Sequence, residues 1–158
     1  MNRKNATSLL LGIVIFIGLV GYNYLIAQKK IRETKPSPLG ITLESYPETV
    51  ISGQTGTFIW HIEGSPDLST PRTTIYWSYD ASPSALTQKD SPEAVGYANH
   101  PEDYFHGIFA LPDNFDLNLK FDKLGKVYFR AYAKVGDDHL WTDEQTIEVI
   151  PIQKNVNQ

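Results

Sequence analysis

Residues 9–27, LLLGIVIFIGLVGYNYLIA, restrict what the rest of this chain can be more than any other stretch does. They contain nineteen residues without a charge, and as an α-helix they extend roughly 28 Å, close to the ~30 Å hydrocarbon core of a bilayer. A helix that is apolar on every side cannot be covered by one small domain. Tyr22 and Tyr24 stand where aromatic residues mark the membrane interface. We therefore predict one transmembrane helix over residues 9–27.

Two questions about this segment stay open in the sequence. The apolar run also has the length of a signal-peptide core, but a cut after Ala27 would put Leu25 where a small residue is needed, which favours an uncleaved signal anchor. The flank after the segment is more basic than the flank before it, and the positive-inside rule then favours a cytoplasmic domain. An apolar segment behind a short basic start is nevertheless the usual export signal. We expect a single-pass protein of the cell membrane with its domain outside the cytoplasm.

Composition divides the chain into parts of opposite charge. The expected parts are a short basic N-terminus at 1–8, the helix at 9–27, a basic stem with prolines at 28–38, a β domain at 39–152 with a long loop at 81–114, and a frayed tail at 153–158. Six of the 14 Lys and Arg residues but one of the 18 acids precede residue 36. The acidic domain would repel phosphates, which argues against a nucleic-acid partner, whereas the basic stem suits anionic lipid headgroups.

Several chemistries are excluded by residue types alone. The chain has no cysteine, and its one methionine is Met1. Disulfides, thiolate metal sites and blue-copper centres are therefore impossible. Sequence motifs of serine hydrolases, zinc proteases, P-loops and dinucleotide-binding sites do not occur either. We expect a protein that is not an enzyme and that needs no cofactor.

From residue 39 onward, apolar and polar residues alternate with a period of two. The clearest run is 115–121, FDLNLKF, and comparable runs occur at 41–44, 57–63, 74–80, 126–135 and 145–150. Short half-buried strands separated by Gly, Pro and Asp turns are typical of an antiparallel sandwich. We predict an all-β fold of about seven strands behind the single N-terminal helix, with a turn at 136–138.

One of these runs carries a resemblance to a known family. Residues 125–131, GKVYFRA, resemble the GTYYCRA run of an immunoglobulin-type strand F, and residues 141–149 are similar to the closing F–G hairpin of bacterial and archaeal Ig-like and fibronectin-III-like domains. The resemblance implies an Ig-like sandwich behind the signal anchor. The tyrosine-corner position holds Val127 and the disulfide-cysteine position holds Phe129, so strand order and subtype stay open.

A group of aromatic residues is the candidate binding site. If the strands at 74–80 and 126–135 pair, as the resemblance implies, the solvent face of one sheet carries Tyr76, Tyr128 and Tyr132 with Arg130 between them. Exposed aromatics beside an arginine are typical of protein interfaces and sugar platforms. The same residues could also be cross-strand pairs that only stabilise the sheet.

The loop at 81–114 is the second candidate, because so long a loop in a compact domain is usually functional or poorly ordered. His100, Glu102, Asp103 and His106 could supply nitrogen and oxygen ligands to zinc or a similar ion, although surface loop residues of these types need not bind anything. The Asp and Asn residues at 113–118 lack the spacing of an EF-hand calcium loop, and alternation places them on the outer face of a strand.

These features lead to two functional hypotheses. The first is a membrane-anchored extracytoplasmic Ig-like module with a role in binding, adhesion or envelope scaffolding, held to the bilayer by residues 9–27 and directed at a protein or glycan partner. The alternative is a carbohydrate- or metal-binding accessory domain that acts through residues 81–114. The sandwich fold by itself does not decide between them.

Overall fold

The computed structural model of the chain describes residues 18, 21–23, 38–82 and 85–153. Most of the predicted membrane helix, stem and tail lies outside the described residues, although Gly18 and residues 21–23 are helical. Within the described part, no helix is both long enough and apolar enough to span a membrane. The chain divides into two units, Met1–Pro36 and Ser37–Gln158. Among the described residues, those that form the buried core belong to the second unit, so we expect that unit to fold by itself.

The described domain is mostly β-structure, as the alternation predicts. The strands are β1 (Gly40–Ser45), β2 (Thr49–Ile51), β3 (Thr55–Glu63), β4 (Ser69–Thr70), β5 (Arg72–Ser78), β6 (Phe109–Ala110), β7 (Asp113–Lys120), β8 (Gly125–Val135), β9 (Asp138–Trp141) and β10 (Gln145–Ile150). One short helix, α1 (Pro92–Val95), lies inside the long loop. The strand positions agree with the alternating runs. Strands β3 and β7 bury one face and expose or half-expose the other, whereas β5 and β8 are buried on both faces over most of their length.

Two sheets face each other across the core. One sheet contains β1, β3 and β7 in that order, and the other contains β2, β10, β8 and β5. On the same side of β8, β10 pairs with the first half of the strand and β9 pairs with its last four residues. This order matches the A–B–E and A′–G–F–C sheets of an immunoglobulin-type sandwich, with β5 and β8 paired as the resemblance implies. The small pair of β4 and β6 is additional. The sandwich is antiparallel except for the parallel pair of β2 and β10, which the sequence did not predict.

The centre of the core joins the two sheets through aromatic rings. Phe58 on β3 and Phe129 on β8 are both buried, and their ring centroids lie 4.9 Å apart in an edge-to-face arrangement. Phe129 occupies the position that holds a cysteine in many Ig domains, so a ring pair connects the sheets where a disulfide could. Trp60 lies nearby, and its indole N–H donates to the hydroxyl of Thr73 at 2.8 Å. The buried indole therefore keeps a hydrogen-bond partner.

The β8–β9 hairpin forms at the predicted turn. Val135 pairs with Asp138, and the two residues between them make the turn. Gly136 has φ 58°, as the first central position of a type II′ turn requires. Glycine reaches that conformation without the steric cost that a side chain would add.

The predicted loop at 81–114 is packed against the domain. It covers the free edge of β5, where the amide of Trp77 donates to the carbonyl of Asn99 at 2.9 Å and the reverse bond is 3.1 Å. Further along, the amide of Thr73 donates to the carbonyl of Tyr104 at 3.0 Å. The loop also contains α1 and β6, and it ends two residues earlier than expected because β7 already begins at Asp113.

Candidate functional site

The predicted tyrosine and arginine site lies on one sheet face, but that face is covered. Tyr76 pairs with Arg130 across β5 and β8, as the register requires. Tyr76, Arg130 and Tyr132 are only 4%, 6% and 0% exposed, so the prediction that they are open to solvent is wrong. The physical reason is the loop, since Tyr97 packs with Tyr76 and Tyr132 in a second apolar cluster. Tyr128 is half-buried, and its role in binding stays a prediction.

The buried arginine is held by a network that attaches the loop to the sheet. The Nε of Arg130 donates to the hydroxyl of Tyr97 at 2.9 Å, and its Nη1 donates to the carbonyl of Thr142 at 2.8 Å. The hydroxyl of Tyr97 in turn donates to the carboxylate of Glu144 at 2.5 Å. Burial, followed by this bond to Glu144, raises the pKa of Tyr97. The hydroxyl therefore stays protonated and can serve both partners at neutral pH.

A second polar chain lies beside the first at the same covered face. Arg72 donates from Nη2 to the hydroxyl of Tyr132 at 3.3 Å, and that hydroxyl lies 2.8 Å from Nδ1 of His139. Burial lowers the pKa of His139, with Lys134 and Arg72 adding to the effect. The Nδ1 of a neutral imidazole can accept a hydrogen bond from the hydroxyl of Tyr132, so Arg72 donates to Tyr132 and Tyr132 donates to His139. Burial also raises the pKa of Tyr76 to about 12.

The four loop residues proposed as metal ligands are not brought together. His100 lies against the rings of Tyr76 and Phe105, with centroids 4.9 Å from each. The ring of His106 also contacts Phe105, edge to face with centroids 5.1 Å apart. Glu102 and Asp103 are exposed. Among the described residues, no group of three or more His, Asp or Glu side chains is placed to hold a metal ion.

One open feature of the described domain is a groove along β7. It consists of two adjoining hollows that share Asn118, with volumes of about 470 Å³ and 320 Å³. The wall on one side is β7 from Asp116 to Lys120, and the wall on the other is the loop from residue 98 to residue 104. Trp77 lines the larger hollow and Tyr104 lines the smaller one. The groove therefore follows the gap between the edges of the two sheets.

One end of this groove is acidic. Asp103, Asp113 and Asp116 are exposed and lie around Tyr104. The pKa of Tyr104 is raised by burial first and then by the negative charges of these three carboxylates. The other end has Lys120 and His100 instead. The groove is therefore negatively charged at one end of the β7 edge and carries basic side chains at the other.

Sequence reasoning missed this groove because it depends on strand order. The alternation of 115–121 correctly predicted a strand with Asp116 and Asn118 on its outer face. Nothing in that pattern says whether a strand has one neighbour or two. Glu102 and Asp103 were considered as metal ligands, whereas the structure places Asp103 across the groove from Asp116. The acidic loop sequence was the available signal, but its meaning required the position of β7.

The fold and groove define an Ig-like β-sandwich with an open sheet edge. No protein-family model matches the sequence. No similar curated protein was found either. Among solved structures, the PKD domain of an M14-like peptidase from Thermoplasmatales archaeon SCGC AB-540-F20 is similar at a TM-score of 0.47 and 15% identity, over 73% of this chain and 97% of that one.

Two further solved structures are similar at lower scores. The CARDB domain of the PF1109 protein from Pyrococcus furiosus, solved with di-metal ions, has a TM-score of 0.40 and 8% identity over 73% of this chain and 90% of that one. A cohesin module of a family 33 glycoside hydrolase from Clostridium perfringens ATCC13124 has a TM-score of 0.38 and 12% identity over 73% and 98%. The assignment of the fold rests on the strand order given above.

Proposed function

We propose that this protein is a membrane-anchored, extracytoplasmic Ig-like module that binds a protein partner and catalyses no reaction. The observation that carries the proposal is the groove between β7 and residues 98–104, which leaves a sheet edge accessible in a domain whose other candidate site is covered. The predicted helix at 9–27 and the basic stem would attach the domain to the membrane.

The buried polar groups support a structural explanation for the face once considered for binding. Arg130, Tyr97 and Glu144 hold the loop against the sheet, whereas Arg72, Tyr132 and His139 connect β5, β8 and β9 within the sheet. Titratable groups with perturbed pKa values often mark active sites, but fixed ion and hydrogen-bond networks perturb them as well. Here burial under the loop is the first cause of the shifted pKa values of Tyr76, Tyr97 and His139, so the covering of the face explains them without an active site.

Site-specific photo-crosslinking in living cells tests the binding role. Ala98 is exposed on the groove wall, and Ala94 is exposed on α1 away from the residues that line it, so the two make a matched pair for a photoreactive residue. We expect a discrete protein adduct from position 98 and none from position 94. Equal labelling at both positions, or none at position 98, would remove the proposal.

The location of the domain needs a separate experiment. Protease added to intact cells or spheroplasts should digest the domain if it lies outside the cytoplasm. Full protection, with digestion only after lysis, would place the domain inside, as the basic flank taken alone suggests.

The alternative role in binding carbohydrate or metal through residues 81–114 has less support. Tyr97 packs inward and Phe105 stacks on His100, so these rings present little free surface to a sugar. A glycan array and thermal shifts with divalent metals would test it directly. Specific binding to a glycan on the array would support this alternative. So would a metal-induced rise in melting temperature that is lost in His100→Ala.

A further inference from the structure

We propose that the groove along β7 binds an extended peptide segment rich in Lys or Arg, which adds to β7 as a further strand. This inference rests on the proposed binding function and names the chemistry of its partner. Addition of a strand at an open edge gives affinity through main-chain hydrogen bonds, and nearby side chains supply the selectivity.

The first argument is the state of the β7 edge. In the described part of the chain, β7 pairs with β3 alone. Their register runs without a shift over eight residue pairs, from Thr55 with Lys120 to Ile62 with Asp113. Alternate residues of a strand direct their N–H and C=O groups to the same side, so about four residues of β7 present these groups to the groove. The edge can therefore pair with roughly 26 Å of extended chain.

The other long edges of the sandwich are modified in ways that prevent such pairing. The loop hydrogen bonds to β5 through Asn99 and Tyr104. The pairing of β1 is interrupted by a bulge between Leu43 and Ser45, and β2 is only three residues long. Proteins usually protect exposed edges by cover, bulges or short strands, because an open regular edge recruits other chains. The long regular edge of β7 is thus distinct from every other edge in the described domain.

The second argument concerns what could fit. The loop wall at 98–104 stands opposite β7, so the edge is reached from within a groove and not from a flat surface. A single extended chain needs less room beside β7 than a second sandwich does. Charge acts in the same direction, since the acids that follow residue 36 would make two copies of the domain repel each other.

The third argument is charge complementarity within the groove. Asp103 and Asp116 line the smaller hollow, and Asp113 lies close enough to influence Tyr104 beside them. A Lys or Arg of the bound strand would face these carboxylates, while an acidic residue there would be repelled. This end of the groove selects a positively charged peptide and fixes the register of that peptide on β7.

Fluorescence anisotropy with defined peptides tests the proposal on the full-length protein in mild detergent. The probe is a ten-residue peptide in which Lys alternates with Thr and Val. One comparison peptide has Glu in place of Lys, and another keeps Lys but carries an N-methyl group on every amide of its central residues, so that neither edge can pair. We expect saturable, salt-sensitive binding of the Lys peptide and no binding of the other two, because one reverses the charge and the other removes strand pairing.

Protein variants separate the groove from general attraction to an acidic surface. The double variant Asp103→Asn/Asp116→Asn should weaken binding about tenfold by losing two charge contacts. The control Asp137→Asn/Glu148→Gln removes two exposed acids on the β8–β9 turn and on β10, and it should bind as the unchanged protein does. Equal weakening by both doubles, or binding of the N-methylated peptide, would overturn strand addition.

Hydrogen exchange gives the direct signature of the added strand. When the Lys peptide binds, alternate amides of β7 should become protected, with little change in β10. Uniform or remote protection would contradict the inference. A crosslinked partner at position 98 without this protection refutes strand addition and leaves the binding function intact. Protection by the peptide without any crosslink in cells supports the groove chemistry and refutes the binding function.

Discussion

The contact of Phe58 with Phe129 connects the two sheets, and weakening it should lower stability by an amount that the structure allows us to state. Both rings are at most 1% exposed and meet edge to face at 4.9 Å. Truncation of a buried Phe to Ala costs about 3–5 kcal/mol, which is a large part of the ~5–15 kcal/mol that holds a typical domain folded. Leucine keeps much of the volume, so Phe58→Leu and Phe129→Leu should each cost about 1–2 kcal/mol and leave the domain folded.

The pair itself is measured by a double-mutant cycle. Aromatic pairs of this geometry contribute about 0.5–1.5 kcal/mol beyond the area that they bury, so the double Leu variant should lose less than the sum of the single variants by that amount. The assay is urea unfolding of residues 37–158, monitored by tryptophan fluorescence. An unchanged slope of the free energy of unfolding against urea concentration would show that the unfolded state is the same in each variant.

A matched cycle provides the control. Phe109 packs against Tyr104 and Phe115, so Phe109→Leu combined with Phe129→Leu should be additive within about 0.5 kcal/mol. A coupling near zero for Phe58 and Phe129, or an equal coupling in the control cycle, would refute the argument that this ring pair connects the sheets.

Two other consequences can be measured on the same domain. Tyr97→Phe removes the hydroxyl that accepts from Arg130, and it should cost about 1–3 kcal/mol in urea unfolding because a buried charged group loses a partner. Hydrogen bonds to Asn114 and then Glu63 raise the pKa of His61, so its contribution to stability is complete below pH 6.5 and is lost as the pH rises through the raised value. Burial lowers the pKa of His139, so its contribution is present above pH 6.5 and is lost as the pH falls. Two-dimensional NMR titration should show a higher pKa for His61 than for His139, and equal values for the two imidazoles would contradict at least one of these shifts.

Several parts of the fold could be predicted from the local pattern of apolar and polar residues. Alternation correctly placed Phe58, Trp60 and Ile62 on the buried face of β3, because a half-buried strand must repeat with a period of two. The same pattern placed His61 on the outer face, where it pairs across the strands with Asn114. The turn after Val135 followed from glycine and aspartate chemistry.

The candidate site was harder to predict from the sequence, because the burial of a sheet face depends on what covers it. The register correctly put Tyr76, Arg130 and Tyr132 on one side of the β5–β8 pair. Alternation describes the two faces of a strand, but it cannot detect a non-periodic loop that folds back over the outer face. Residues 81–114 do so, and they turn an expected binding surface into a second buried cluster.

Residue types and their spacing were enough to predict the β-sandwich class, the inward side of each main strand and an apolar membrane segment at 9–27, and to exclude cysteine chemistry. Each of these depends on residue type and spacing along a single stretch of chain. The tertiary structure alone decided that the tyrosine face is covered and that β7 has an open edge. Both properties arise from contacts between residues far apart in sequence, since an edge or a cover exists only once the strands have been ordered in space.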